Sequence, residues 1–217
     1  MITVCKVVDE AAREKALKVV EKVYWEEKNW IKSVDQEIPQ AADSDGKYSW
    51  FLAQVNNHPA GVLRLLFDPI LELPPECQAT FKKGFDPQKM ANAGKFVEIG
   101  RFMILPEYRK KILVAIRLMG AAVREVVERN YTHFITDVFE GEPHSPLKFH
   151  TRILGFEVIG QHLYGELNCS LTRIILTLDI LKAYQRLKSQ RNRIYWSLTE
   201  GIRGSLDAKL TGIPTDN

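Results

Sequence analysis

Apolar positions along the chain follow two periods, and the switch between them is clearest from Lys95 to Asn130. Phe96 to Leu105 is rich in Val, Ile and Phe, the residues of a strand. Pro106 then stands where the first turn of a helix accepts proline. Ile112, Ile116, Met119, Val123 and Val127 recur at helical spacing and give one apolar stripe. Asn130 is the expected stop, and Tyr131 to Phe139 reads as a second buried strand. Strand, long helix, strand makes a β-α-β unit whose helix packs on a sheet.

The same reading extends to both ends. Ile2 to Val8 predicts a strand, and Asp9 caps a helix that runs to about Glu27 on an inner face of Ala16, Val20, Val23 and Tyr24. Lys28 to Lys47 is a polar loop ending in a D-S-D-G turn signature, with Trp25 and Trp30 at its start as core filler. Tyr48 to Val55 and Ala60 to Phe67, joined by N-N-H-P, predict a β-hairpin. Asp68 to Gly94 carries four prolines, with a short helix near Gln78 to Lys83, and its length suits a lid or binding segment. Ser145 opens a short helix ending near Leu154, with Gly155 closing it. Strands over Phe156 to Ile159 and Leu171 to Leu178 follow, then a helix from Asp179 continuing to Leu198 with a solvated basic face. Residues 201–217 read as a tail after one domain over 1–200.

Two features do not look like packing. Glu98 and Arg101 interrupt an apolar strand, where charge is costly unless paired or solvated. Arg109, Lys110 and Lys111 crowd the expected first turn of the long helix, where cations oppose the helix dipole, and an anion bound over the turn would explain them. The plainer alternative is a structural ion pair and a solvated basic turn. Arg64, inside the second hairpin strand, either reaches solvent or joins Glu98 and Arg101.

Composition narrows the function. A chain of 217 residues, 45 % hydrophobic and 26 % charged, is expected to bury a core as one globular domain. The net charge of +3 is too small to argue for nucleic acid, and no apolar run reaches membrane-spanning length. The start, M-I-T-V-C-K, lacks the regions of a signal peptide, and Cys5, Cys77 and Cys169 are too few and too scattered for disulfides or a metal site. A cytoplasmic protein without a metal is expected.

The order of elements, with P-E-Y-R at Pro106 to Arg109 and I-L-G-F at Ile153 to Phe156, resembles the GCN5-related N-acetyltransferase fold over about residues 2 to 180. The implied class is α+β, a mixed central sheet flanked by helices, here with an extra C-terminal helix. The resemblance implies a pantetheine arm along Phe102, Met103 and Ile104, and phosphate bound at Arg109, Lys110 and Lys111. Ile112 and Val114 replace the two glycines of the family's phosphate turn. V-Y-W-E-E-K-N-W at Val23 to Trp30, D-S-D at Asp43 to Asp45, V-L-R-L-L at Val62 to Leu66 and E-I-G-R-F at Glu98 to Phe102 are similar to the N-acyl amino acid synthases and, more distantly, to the acyl-homoserine-lactone synthases.

That similarity implies transfer of a long acyl group from acyl carrier protein to the amine of a small amino-acid-like acceptor. Glu98 would take the proton or contact the substrate ammonium, and Arg101 and Arg64 would hold a substrate carboxylate. The alternatives are a CoA-dependent N-acetyltransferase with an atypical phosphate turn and a non-catalytic binding module. In many acetyltransferases a tyrosine shortly before G-F protonates the leaving thiolate. Here Thr151 and His150 stand there, His150 expected at the surface, so that role is unassigned. Glu98 and Arg101 are three apart, so both reach one cleft only across a bulge, expected within Ile99 to Phe102 with Gly100 in it.

Overall fold

The computed structural model describes residues 1–40 and 46–211. Its strands are β1 (Ile2–Lys6), β2 (Tyr48–Val55), β3 (His58–Phe67), β4 (Thr80–Phe81), β5 (Phe96–Ile104), β6 (His133–Phe139), β7 (Glu157–His162) and β8 (Arg173–Asp179). They form one mixed sheet in the order β1-β2-β3-β5-β6-β8-β7-β4. Among the described residues only β5 and β6 run parallel, joined by the β-α-β crossover through α3 (Ile112–Glu128). The other helices are α1 (Glu10–Val20), α2 (Pro87–Ala91), α4 (Ile180–Gln190), α5 (Arg193–Leu198) and α6 (Arg203–Thr211). The class is α+β with a mixed central sheet, as expected from the resemblance.

Local chemistry fixes most boundaries. Asp9 accepts a hydrogen bond from the Ala12 amide at 2.7 Å and starts α1. Asn56 and Asn57, with φ of 49° and 66°, make the two-residue turn between β2 and β3, a left-handed pair that asparagine tolerates. Asn130, at φ 60°, stops α3. Gly155, at φ 87°, closes the turn before β7. After Val20 the first helix widens into π-type turns through Glu27, where the Lys28 amide reaches back five residues to the Val23 carbonyl at 3.1 Å.

Alternation along the strands sends side chains to two cores. On one face Leu63, Leu65, Val97 and Ile99 pack with Leu118, Met119 and Ala122 of α3. On the other, Trp50, Leu52, Val62 and Met103 pack with Ala16, Val19 and Val20 of α1. Burial of one such leucine or valine stabilises the fold by about 1.5–3 kcal/mol.

Three expectations need correction. The Asp68–Gly94 segment has no helix at Gln78 to Lys83. Gln78 adopts φ 51°, which ends a single turn at Pro75–Cys77 and lets Thr80–Phe81 pair with β7. The helix of that segment is α2, capped by Asp86. The basic C-terminal helix breaks at Arg191, φ 45°, and Asn192 caps the next one through the Tyr195 amide at 3.0 Å. Residues 203–211 are not a loose tail but α6, whose Leu206 is 1 % exposed within the α3 core.

Since α6 supplies core packing, Leu206→Ala should destabilise the whole chain by about 2–5 kcal/mol in urea unfolding, in a single transition. A loss below about 1 kcal/mol would mean that α6 frays independently of the core.

Candidate active site

The sheet opens at its centre. Parallel pairing between β5 and β6 runs only from Phe96–His133 to Glu98–Ile135, although β5 continues to Ile104 and β6 to Phe139. The Thr136 hydroxyl donates to the Ile99 carbonyl at 2.7 Å just past the last pair. Beyond it the strands part around a cavity of about 490 Å³, lined by Glu98–Ile104 of β5 and Ile135–Phe139 of β6. Ile70, Leu71, Leu73, Phe81 and Met90 of the long Asp68–Gly94 segment give this cavity an apolar wall.

A bulge sits where the strands part. On the other side of β5, Val62 faces Met103 and Arg64 faces Gly100, so Leu63 alone opposes Arg101 and Phe102. This bulge lies within the expected Ile99 to Phe102. The left-handed residue, however, is Arg101 at φ 49°, not Gly100. That conformation costs a non-glycine residue roughly 1–2 kcal/mol, and the bonds on the Arg101 guanidinium offset it. Gly100 stays paired and is small for another reason. A Cβ there would lie 2.8 Å from Arg64 Nη2 and 3.1 Å from Glu98 Oε1.

The extra residue resets the alternation. Ile99 and Phe102 both pack on the α3 side, while Glu98 and Arg101 line the cavity together. Arg64 reaches across from β3 and its Nη2 donates to Glu98 Oε1 at 3.0 Å. Arg101 Nε donates to Glu37 at 2.6 Å, and its Nη1 and Nη2 each lie 3.3 Å from a different oxygen of Glu166. Tyr24, delivered by the π-type turn, lies under this guanidinium, its ring centre 5.7 Å away. Both arginines are therefore already paired with carboxylates.

A second cluster faces them from β6, β7 and β8. His162 has Asp137 Oδ2 at 3.1 Å on Nε2 and the Tyr164 carbonyl at 2.9 Å on Nδ1. Arg173 Nη1 is 3.6 Å from the same Asp137 oxygen. Sequence reasoning missed this group. The signal that singled out Glu98, a lone charge in an apolar strand, also marks Asp137, whereas nothing near His162 or Glu166 marks either as cleft-facing. Electrostatics separate the carboxyls. Burial raises Glu98 above the ordinary carboxylate value; Arg64 opposes this in part and Asp137 adds to it. Burial also works against charge on Asp137, but His162 and Arg173 outweigh it and hold that carboxyl low.

Of the remaining expected site residues, Phe102, Met103, Ile104 and Arg109 line the cavity, and Lys110 and Lys111 lie outside its lining. Phe102 and Ile104 line the cavity while packing partly on the α3 core; Phe102 stands against Phe149 and His150, and Met103 is 2 % exposed in the α1 core. Arg109, Lys110 and Lys111 are not in the first turn of α3. A short turn at Pro106–Tyr108 precedes them and α3 begins at Ile112, because Pro106 opens that turn instead. Arg109 is committed to both oxygens of Glu27 and to the Ile104 carbonyl. Lys111 lies over the Tyr108 ring, and Lys110 is exposed outside the cavity lining. Trp30 packs between Tyr24 and Phe139, but Trp25 is 49 % exposed rather than core. Asp43 to Asp45 lie outside the described residues.

His150 is not at the surface. It is fully buried between Phe102, Phe149 and Phe156 at the cavity lining, and neither ring nitrogen has a hydrogen-bond partner among the described residues. Burial lowers its pKa from 6.5 to about 3. Thr151 turns its hydroxyl back to the Leu147 carbonyl at 2.7 Å. Among the described residues no group of three or more His, Cys, Asp and Glu could hold a metal ion, and no helix is long and apolar enough to cross a membrane.

Comparison with known proteins fits this geometry. A family model described as N-acyl amino acid synthase FeeM matches residues 15–173. The solved structure of FeeM, from uncultured soil microbes, superposes with a TM-score of 0.60 at 15 % identity, covering 85 % of this chain and 94 % of that one. The ribosomal-protein-S18-alanine N-acetyltransferase of Escherichia coli superposes at 0.54 with 14 % identity, covering 83 % and 94 %. The aminoglycoside acetyltransferase AAC(6')-Ib, solved with coenzyme A, superposes at 0.57 with 13 % identity, covering 87 % and 99 %. No curated protein matches the sequence.

The state of His150 should be visible in stability. Its folded pKa lies below the unfolded value, so the unfolded chain binds the extra proton. Stability is then complete above pH 6.5 and declines as pH falls toward 3, by up to about 1.4 kcal/mol per unit. Urea midpoints measured across that range should show this slope flattened in His150→Leu. An unchanged slope would mean that His150 is protonated or solvated in the fold.

Proposed function

The chain belongs to the N-acyl amino acid synthase family and is an acyltransferase, and from that premise we propose that it joins a long acyl group from acyl carrier protein to the amine of a small amino acid. The observation that carries this reading is the bulged β5, which brings Glu98 and Arg101 into one cavity with an apolar wall.

The thioester arm lies along Phe102, Met103 and Ile104, past the point where β6 leaves β5. Its acyl chain rests on Ile70, Leu71, Leu73, Phe81 and Met90. The amine nitrogen attacks the thioester carbonyl, and backbone amides of the bulge stabilise the charge developing on its oxygen. Glu98 takes the proton that the nitrogen loses; burial raises its pKa and makes it a stronger base than an ordinary carboxylate. The C–N bond forms as the C–S bond breaks. Sulfur leaves with that electron pair and takes the proton Glu98 has collected, so the products are an amide and a free thiol. Arg101 and Arg64 orient the acceptor carboxylate.

Two features support a carrier protein over CoA as donor. Val114, fully buried, and Ile112 replace the glycines that let backbone close on a pyrophosphate. Lys110 and Lys111 stand exposed beside the turn, where they attract the acidic surface of a carrier protein. Arg109, held by Glu27 at the cavity lining, keeps the turn in shape. Three free cysteines support a reducing cytoplasm as the site of the reaction.

Glu98→Gln should lower kcat by about 10²–10⁴-fold with little change in stability. In the parent enzyme kcat should climb with pH through a value above the ordinary carboxylate range, the direction set by burial. A pH profile and kcat unchanged in the variant would exclude Glu98 as base. For the donor, calorimetry should detect acylated carrier protein but not CoA at micromolar concentration. Changing Lys110 and Lys111 to Gln should weaken that binding and reduce its salt dependence. Tight CoA binding with no response to carrier protein would reverse the choice of donor.

A further inference from the structure

Among the described residues, Glu166 differs from the other carboxylates that touch the arginines. Glu37 and Glu98 have side chains 14 % and 31 % exposed. That of Glu166 is 62 % exposed, yet it makes the paired contact: one oxygen 3.3 Å from Arg101 Nη1, the other 3.3 Å from Nη2, and the first also 3.7 Å from Arg64 Nη2. Two oxygens against two guanidinium nitrogens is how arginine binds a free carboxylate. An exposed acid therefore occupies, from solvent, the seat that two arginines build at the edge of the cavity.

The segment that carries Glu166 does not have to unfold to release it. The Leu163 amide bonds the Cys77 carbonyl at 3.0 Å, the Leu167 carbonyl accepts from Arg173 at 3.0 Å, and the Asn168 amide bonds the Trp30 carbonyl at 2.8 Å. Leu167 itself is buried in the α1 core. Backbone is thus fixed on both sides of Glu166, and only its side chain is free to swing. Arg101 would stay in place, since Nε keeps its 2.6 Å bond to the more buried Glu37.

Geometry points the same way. With Glu166 swung out, Arg64 and Arg101 keep Glu98 and Glu37, and the two Arg101 nitrogens that Glu166 covered are open to another carboxylate. Arg64 touches both Glu98 and Glu166, so the seat and the proposed base lie within the span of one guanidinium. A compact amino acid fits that spacing, its carboxylate on Arg101 and its ammonium toward Glu98. An amine without a carboxylate leaves Glu166 undisturbed.

The geometry points to Glu166 as a built-in stand-in for the acceptor's carboxylate, a specificity residue that a carboxylate-bearing amine must displace. This rests on the reading of the cavity as the acyl-transfer site. It predicts that the parent protein binds small carboxylates weakly at Arg101 because the seat is filled.

The test uses acetate as probe, with the full chain and no acyl donor, read by the nitrogen-15 signals of the arginine guanidinium groups. Removing the competing acid in Glu166→Ala should tighten acetate binding by about tenfold, the effect of one charge-assisted contact. Glu166→Gln, which keeps the side chain's shape, should give the same sign, and Arg101→Gln on the Ala background should abolish the gain. Methylammonium chloride should show no gain in either variant. Acetate affinity unchanged or weakened in both variants would overturn the proposal. Because no donor is present, a failure here leaves acyl transfer standing, and a gain here survives the loss of that reading.

Discussion

One extra residue in one strand is the constraint on which the site depends. Between Val62 and Arg64 the β3 strand spends one residue where β5 spends two, and Arg101 takes a left-handed conformation to do so. Without that step the sheet's two-residue period would turn Arg101 away from Glu98, into the α3 core among Leu63, Leu65 and Val97. An unpaired guanidinium there would cost several kcal/mol. The bulge also lies just beyond the last β5–β6 pair, where the strands separate. Reset alternation and open sheet coincide, and the cavity is where they meet.

The charges then hold one another. Arg64 and Arg101 draw on Glu98, Glu37 and Glu166; Arg173 and His162 draw on Asp137. The two groups are coupled through the mutual repulsion of Glu98 and Asp137, which contributes to the raised value on Glu98. A carboxyl pushed up beside one held low is an arrangement that environment alone creates from two similar side chains. The apolar wall of the long segment strengthens these interactions by lowering the local dielectric.

Much of this was legible in the chain. The β-α-β unit, the hairpin and the caps at Asp9 and Asp179 follow from period and turn chemistry, which are local properties. The bulge followed from a contradiction, two charges three apart that had to share a cleft. What local reasoning could not supply was long-range. Thr80–Phe81 becomes a strand only because β7 offers an edge, and residues 203–211 become a helix because Leu206 finds the α3 core. Arg109 reads as a free cation until Glu27, far away in sequence, is found across from it. His150 reads as a surface residue until three phenylalanines close around it.

If the thioester arm binds the bulged half of β5, it does so along the side that β6 leaves open, since Met103 and Ile104 stay paired with β3 on the other. Amide hydrogen exchange along β5, with and without an S-acyl pantetheine, tests it directly. Amides from Arg101 to Ile104 should gain protection when the thioester is added, while Val97 and Ile99, already inside the paired sheet, should not change. Protection confined to the Asp68–Gly94 segment, or none on β5, would contradict the account.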